Sequence, residues 1–534
     1  MPESSDPKYK PPENPYFDIH PPVFWPAAIL AAAFIAVTLI VGAPMKAVFS
    51  AIQELISANF GWFFIISVNI YLFLMLYLAF SKYGNIRLGG ENAVPEFGRI
   101  SWFAMLFSAG MGIGILFWSV AEPIFHFTDP PFGEGETLET AKLAMKATFL
   151  HWGLHPWATY ALVGLALAFF SYNRKLPLAI RSVFYPLLGE KVHGRWGDAI
   201  DVLAVLATLF GLATSLGFGV QQINAGLNHL FGMPVSTNMQ ILLIGGITFA
   251  VAISVASGLD RGVKRLSELN MNLGAILLVF MLIFGPTVFI LDAVIQSTGA
   301  YLDNFFEISF WTEGYEQTNW QDSWTVFYWA WWISWSPFVG MFIARISKGR
   351  TIREFVLSVL IIPTFLTFLW ITAFGGSALL LELKGLVDIA GPVTENVAIS
   401  IYELLDYFPF SIIANIAAIL LVISFFITSS DSGSLVVDAF TSGGKLTSPV
   451  TQRIFWAVVQ GLMAAVLLIG GGLTALQTAA IITGLPFAVI LIIMGYSLKQ
   501  GLQKEYEKEA LREKEIERET YQDTVKKVLQ QKDR

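Results

Sequence analysis

Apolar runs of about twenty residues recur along almost the whole length of this chain, and they constrain its fold more than any other feature. A helix of ~20 apolar residues crosses the ~30 Å hydrocarbon layer of a bilayer. Only helices and closed barrels satisfy their own backbone hydrogen bonds at that depth. The runs fall near residues 23–46, 58–81, 100–121, 144–171, 198–224, 237–257, 267–294, 323–346, 353–376, 409–430, 451–472 and 475–498. They predict an all-α polytopic membrane protein of about twelve transmembrane helices, with both termini on one side. Only 14% of the 534 residues are charged, against roughly 25% in soluble domains.

Lys and Arg in short loops are retained in the cytoplasm. Alternate connections carry Lys82, Arg87, Arg99; Arg174, Lys175, Arg181, Lys191, Arg195; Arg261, Lys264, Arg265; Arg345, Lys348, Arg350, Arg353; and Lys445, Arg453. The opposite connections carry only Lys46, Lys142, Lys146 and Lys384. This asymmetry predicts cytoplasmic termini. With no cysteine, disulfide frameworks, thiolate nucleophiles and Cys-type metal centres are excluded. Nothing points to nucleic acid. Met1–Pro22 is polar and Pro-rich and lacks the pattern of a cleaved signal, so the first helix should target the chain to a plasma membrane, by default the bacterial inner membrane.

Three segments depart from the helix-and-short-loop pattern. Residues 299–322 mix aromatic and acidic side chains and are expected to form an amphipathic helix on the outer surface. Residues 377–408 are longer than a usual bundle connection and are expected to re-enter or cap the outer face. After Gln500, nine basic and nine acidic residues alternate at helical spacing. That pattern makes a solvated helix, either a solubilising tail or an arm that senses ionic strength.

Helical backbone can break at membrane depth only where the freed groups line a cavity or are buried in protein. Two spans carry breakers near their middle. The third holds Ser108-Ala109-Gly110-Met111-Gly112-Ile113-Gly114, and the eighth holds Pro337 within Trp331–Gly340. They lie five spans apart, which suggests inverted repeats over spans 3–7 and 8–12 with a binding site between them. Small-residue helix packing and a simple Pro kink are the plainer alternatives. The missing Gly-Lys-Ser/Thr ending excludes a P-loop.

Span 4 carries Trp152, Trp157 and Tyr160, and span 8 carries Trp331, Trp332 and Trp335. Electron-rich faces gathered around a quaternary ammonium form a cation–π cage, with up to ~2 kcal/mol per desolvated contact. His151 and His155 have the spacing of metal ligands but no metalloprotease Glu between them, and are expected to be buried hydrogen-bonding groups. Span 10 ends in Thr428-Ser429-Ser430-Asp431-Ser432-Gly433-Ser434. Such hydroxyls, with carbonyls freed in span 3, suit a hard cation. Bonding back to their own helix is the alternative.

With these residues assembled, the chain resembles the betaine/carnitine/choline transporter family from span 1 to span 12, most specifically at the glycine stretch, the span-4 aromatics and Trp329–Gly340. The resemblance implies a LeuT-like 5+5 inverted repeat preceded by two extra helices, and a homotrimer. The chain then divides into an N-terminal tail (1–22), two peripheral helices (23–98), a first repeat with its outer helix (99–322), a second repeat (323–500) and a charged cytoplasmic helix (501–534).

The resemblance further implies an aromatic box of Trp152, Trp157, Tyr160, Trp332 and Trp335, with Trp331 facing the path. The substrate carboxylate would meet backbone N–H groups of Gly110, Met111, Gly112 and Gly114. Sodium would be held by Ser108, Met111, Phe425, Thr428 and Ser429. A second sodium would use Thr208 beside Phe338, but the position one turn on is Leu212, with Thr214 as a substitute. Sodium-independent relatives carry an arginine early in span 7, where Met271 stands, and choline carriers tend to carry an acid where Gly114 stands. Those matches favour a sodium-coupled carrier of a zwitterion, glycine betaine foremost, with no cofactor beyond the coupling ion. Arg345 and Asp431 are expected to form a cytoplasmic gate pair. The alternatives are a sodium-independent exchanger or facilitator for carnitine, choline or ectoine, an intramembrane enzyme, and an osmosensing receptor.

Overall fold

The computed structural model describes residues 16–532 apart from Met111, residues 258–262, Gln317 and Leu446. Among the described residues the protein is helical throughout, with no strand. Helices α1 (Pro21–Val41) and α2 (Met45–Phe80) come first. The third span is two half-helices, α3 (Arg99–Gly110) and α4 (Ile113–Thr128). The fourth is likewise split, into α5 (Leu138–Trp152) and α6 (Leu154–Tyr172). Then follow α7 (Arg195–Phe231), α8 (Thr237–Ser257), α9 (Val263–Phe284), α10 (Thr287–Asp303), α11 (Thr325–Ile346), α12 (Ile352–Ile371), α13 (Ser411–Thr441), α14 (Val450–Gly471) and α15 (Leu473–Lys532).

Ten helices, with α5–α6 counted as one and α12 taken on to Leu383, are long and apolar enough to cross a membrane. The other two of the twelve expected spans are the α3–α4 pair, whose halves are too short, and α11, which spends much of its 22 residues on Trp and Ser. Segments buried inside protein separate from those left facing outward. The apolar window of α5–α6 is 94% buried, but those of α1, α8 and α9 are 28%, 28% and 22% buried. The exposed Ile40, Leu242 and Ile283 on the last three suit a hydrocarbon solvent. At the centre, α11 packs against α6, α7, α15 and α2.

Several expectations change. The eighth span is not broken: α11 runs unbroken through Pro337. Proline removes the N–H that would bond the Ile333 carbonyl and normally kinks a helix. Here the Ser336 hydroxyl donates to that carbonyl at 2.7 Å, so the ladder's loss is made good locally. The helix entering the region 299–322 is α10, which begins twelve residues earlier than expected, because Gly285-Pro286 ends α9 and restarts the chain. Only the short helices Phe305–Phe310 and Trp320–Ser323 fall in the rest of the region assigned to it. The oxygen-rich stretch of span 10 lies inside α13, which continues to Thr441. The connection after α12 begins with a π-helical turn, Thr372–Gly376, and its short helices Ala390–Glu395 and Ser400–Asp406 pack onto α4 as a cap.

The charged tail is helical and unbroken from the last span, so that α15 runs for 60 residues. It is tied down along its first charged turns. Glu505 pairs with Arg174 at 3.1 Å, Gln503 accepts from Tyr83, and Arg512 reaches Glu91 at 3.1 Å.

Candidate functional site

The break between α3 and α4 and the break between α5 and α6 both face α11, and a small cavity of about 30 Å³ lies where they meet. Its walls are Gly112, Gly114 and Ile115 from α4 and its cap, Trp152 at the end of α5, Pro156, Trp157 and Tyr160 from α6, Trp331, Trp332 and Trp335 from α11, and Thr367 from α12. Trp157 and Tyr160, three apart, and Trp332 and Trp335, three apart, share a helix face in each case. Every aromatic residue assigned to the box is therefore brought together.

Each break has a local cause. A Cβ on Gly153 would stand 2.5 Å from the Phe149 carbonyl oxygen and 3.1 Å from the Phe368 ring, leaving no room for a side chain. A Cβ on Gly114 would come within 2.5 Å of the Trp331 ring and 3.3 Å of Trp152. Gly112 is extended (φ −157°, ψ −170°) and caps α4. The first N–H groups of a helix lack intrahelical partners and carry its positive end, so a carboxylate lying against Gly112 and Gly114 meets the right polarity. Gly110 ends α3; Met111 lies outside the described residues.

The rings are held by their edges. Trp152 Nε1 donates to Glu122 Oε2 at 2.7 Å and Trp332 Nε1 to the His151 carbonyl at 2.9 Å. Trp335 Nε1 donates to the Gly211 carbonyl at 2.8 Å and Trp331 Nε1 to Ser215 Oγ at 3.2 Å. With these four N–H groups spent on partners in the protein, none of the four indoles needs an acceptor from a ligand. Trp152 meets Trp332 at 4.9 Å and 72°, and Trp331 stacks on Trp332 at 4.7 Å and 15°. No lining residue is charged.

A second cavity shares Trp335 with the first and contains Ser108, Phe425, Thr428, Ser429 and Phe338. It thus gathers the described members of the sodium set. The Thr428 hydroxyl is held by the Ser424 carbonyl at 3.0 Å and accepts from Asn270 Nδ2 at 2.9 Å, while Asn270 Oδ1 is buried without a partner. Asn270, absent from the sequence reading, is a polar group of this cavity. The cavity also touches Phe97, Ser101 and Glu268, at those ends of α3 and α9 that adjoin Lys/Arg-rich connections.

Of the residues assigned to a second sodium, Phe338 lines the second cavity and Thr208 and Thr214 line neither. Thr208 bonds back to the Ala204 carbonyl at 2.7 Å, Leu212 packs on Gly433, and the Thr214 hydroxyl donates to the Leu476 carbonyl at 2.7 Å. Phe338 packs edge-on to Trp335 at 5.5 Å. The proposed gate pair is absent. Asp431 pairs with Arg453 at 3.3 Å and accepts from Ser254 at 2.6 Å, whereas Arg345 is exposed and makes no ion pair among the described residues. The cause is the length of α13: Asp431 lies three turns inside it, facing α14 and α8.

His151 and His155 are fully buried and do not converge on a common ligand. His155 bonds Asn69 at 3.3 Å. His151 places Nδ1 2.6 Å from Glu122 and Nε2 2.9 Å from Thr325. Glu122, His126 and His151 lie close enough to share an ion, but Glu122 also accepts from Trp152 and Tyr328. The group works as an anchor behind the cage. The sequence reading missed Glu122 because it ended span 3 at residue 121; an acid inside a span is the signal that would have found it.

A sequence model described as "BCCT, betaine/carnitine/choline family transporter" matches residues 22–507. The chain is similar to a glycine betaine transporter of Acinetobacter baylyi, 45% identical over 91% of this chain and 74% of that protein. It is also similar to the glycine betaine transporter OpuD of Bacillus subtilis, 46% identical over 90% of this chain and 94% of that one. A third relative, a glycine betaine/proline/choline/ectoine transporter of Vibrio parahaemolyticus, is 47% identical over 92% and 88%.

Proposed function

This chain belongs to the betaine/carnitine/choline transporter family, and from that premise we propose that it imports glycine betaine together with sodium by alternating access. The observation that carries the reading is the cavity itself: six aromatic side chains in its wall, no charged residue among the described lining residues, and the start of α4 at one wall. A trimethylammonium head offers no N–H to a hydrogen-bond acceptor, so aromatic faces are its natural host. The carboxylate of the same molecule is met by backbone N–H groups at Gly112 and Gly114. A choline-type acid at 114 has no room beside Trp331.

The cation site of this proposal is the Ser108–Phe425–Thr428–Ser429 group, joined to the cage through Trp335. Each sodium moved down 100 mV yields ~2.3 kcal/mol, enough for roughly 40-fold accumulation before its own gradient is counted. No covalent step is required of any residue. In the membrane the protein is taken as a homotrimer with cytoplasmic termini, on the family resemblance and the loop charge.

The test is uptake into liposomes of labelled betaine, carnitine, choline and ectoine, with and without a sodium gradient. Betaine should accumulate only with the gradient. Undiminished uptake without sodium would replace symport with exchange or facilitation.

A further inference from the structure

Behind the cage, and not lining it, stands one buried carboxylate. Glu122 is fully buried on α4. Its Oε2 accepts from Trp152 Nε1 at 2.7 Å and from the Tyr328 hydroxyl. Its Oε1 faces His151 Nδ1 at 2.6 Å and His126 Nε2 at 3.2 Å. Both rings are themselves fully buried, and His151 Nε2 is taken by Thr325 at 2.9 Å. The cluster places one carboxylate one side chain away from a cavity that has no charged residue among its described lining residues.

Two physical effects follow. A carboxylate in a low-dielectric interior acts across the thickness of an indole with little screening. An indole whose N–H donates to an anion is also richer in electron density on its face, which strengthens its attraction for a cation. Trp152 is tied to a carboxylate, whereas Trp331, Trp332 and Trp335 donate to a hydroxyl and to carbonyls.

We propose that Glu122 is a specificity-determining residue that, acting through Trp152 and its own buried charge, selects a cationic head over a neutral one of the same shape. This inference rests on the quaternary-ammonium reading of the cage and deepens it. It explains why an acid is kept at membrane depth, where an unpaired charge is costly. Tyr328 and the two histidines hold that charge in place, so Glu122 is a positioning and electrostatic group rather than a ligand contact.

The experiment compares binding of glycine betaine with that of 3,3-dimethylbutanoate, in which a quaternary carbon replaces nitrogen, to purified full-length protein. In Glu122→Gln the amide keeps an acceptor for Trp152 but loses the charge. Betaine affinity should fall about tenfold while affinity for the carbon isostere is unchanged or rises. Glu122→Asp, which keeps the charge, should retain most of the preference. Equal loss for both ligands, or loss for neither, overturns the proposal. Where Glu122→Gln does not fold, as judged by thermal unfolding, Glu122→Asp and Tyr328→Phe take its place. Both retain the charge and must keep the preference for the cationic head; its loss in either overturns the proposal. Failure of the wild-type protein to bind betaine at all refutes the cage reading instead, so the two failures are distinct.

Discussion

At the scale of single residues, the site is made by side chains whose polar atoms are spent on its outside. Trp332 gives its N–H to the His151 carbonyl and meets Trp152 and Tyr160 edge-on, so its face is fixed without any polar atom entering the cavity. Trp332→Ala should weaken betaine binding by more than about tenfold, the loss expected for a desolvated cation–π contact. The thermal midpoint should fall as well, because the ring is buried and packs on Trp331 and Trp152 besides bordering the cavity, so affinity is compared below the variant's own midpoint. Titration calorimetry on the variant, alongside its melting curve, checks both halves of this expectation. An unchanged affinity would remove Trp332 from the cage.

At the scale of elements, the buried ion pair between α13 and α14 replaces the gate inferred from residue types alone. Asp431 is fully buried and Arg453 is 7% exposed, with Ser254 of α8 completing the acid's partners. Removing one member of such a pair leaves an uncompensated buried charge, at a cost of ~3–5 kcal/mol. Asp431→Arg should therefore destabilise the protein severely. Arg453→Asp in the same chain should restore much of the loss, and Arg345→Asp should not. Thermal unfolding of the three variants in detergent decides it, and rescue by position 345 would reinstate the original pairing. The breaks in α3–α4 and α5–α6 belong to the same scale, since glycines stand beside each where a Cβ would collide, Gly114 with the Trp331 ring and Gly153 with the Phe149 carbonyl oxygen.

At the scale of the whole molecule, the two cavities meet at Trp335, and the larger extends to helix ends that adjoin basic connections. In this state the larger cavity lies on the side of the cage nearer the Lys/Arg-rich connections. The absence of cysteine gives a direct test, because any introduced thiol is unique. Ala104→Cys lies in the wall of the larger cavity. In inside-out vesicles a membrane-impermeant thiol reagent should modify it readily, and sodium with betaine together should slow that reaction several-fold by shifting the population away from this state. Equal labelling with and without the ligands would count against a single site with alternating exposure.

What the chain itself determined is the set of features that depend on local composition: the helical membrane architecture and the residue types of the cage. Apolar length and aromatic content are written in consecutive residues and need no partner to be read. The glycines around Met111 also announced a break, because glycine clusters carry a backbone meaning of their own. Pro337 announced one wrongly, since whether a proline interrupts a helix depends on whether a neighbour, here Ser336, satisfies the orphaned carbonyl. Tertiary structure alone decided which polar groups face each other. Asp431 meets Arg453 and not Arg345, Thr214 turns to Leu476 and not to Thr208, and Glu122 joins residues as distant as Trp152 and Tyr328. Such pairings depend on where helix ends fall and how helices rotate against one another, and a shift of one residue turns a side chain by about 100° around its helix.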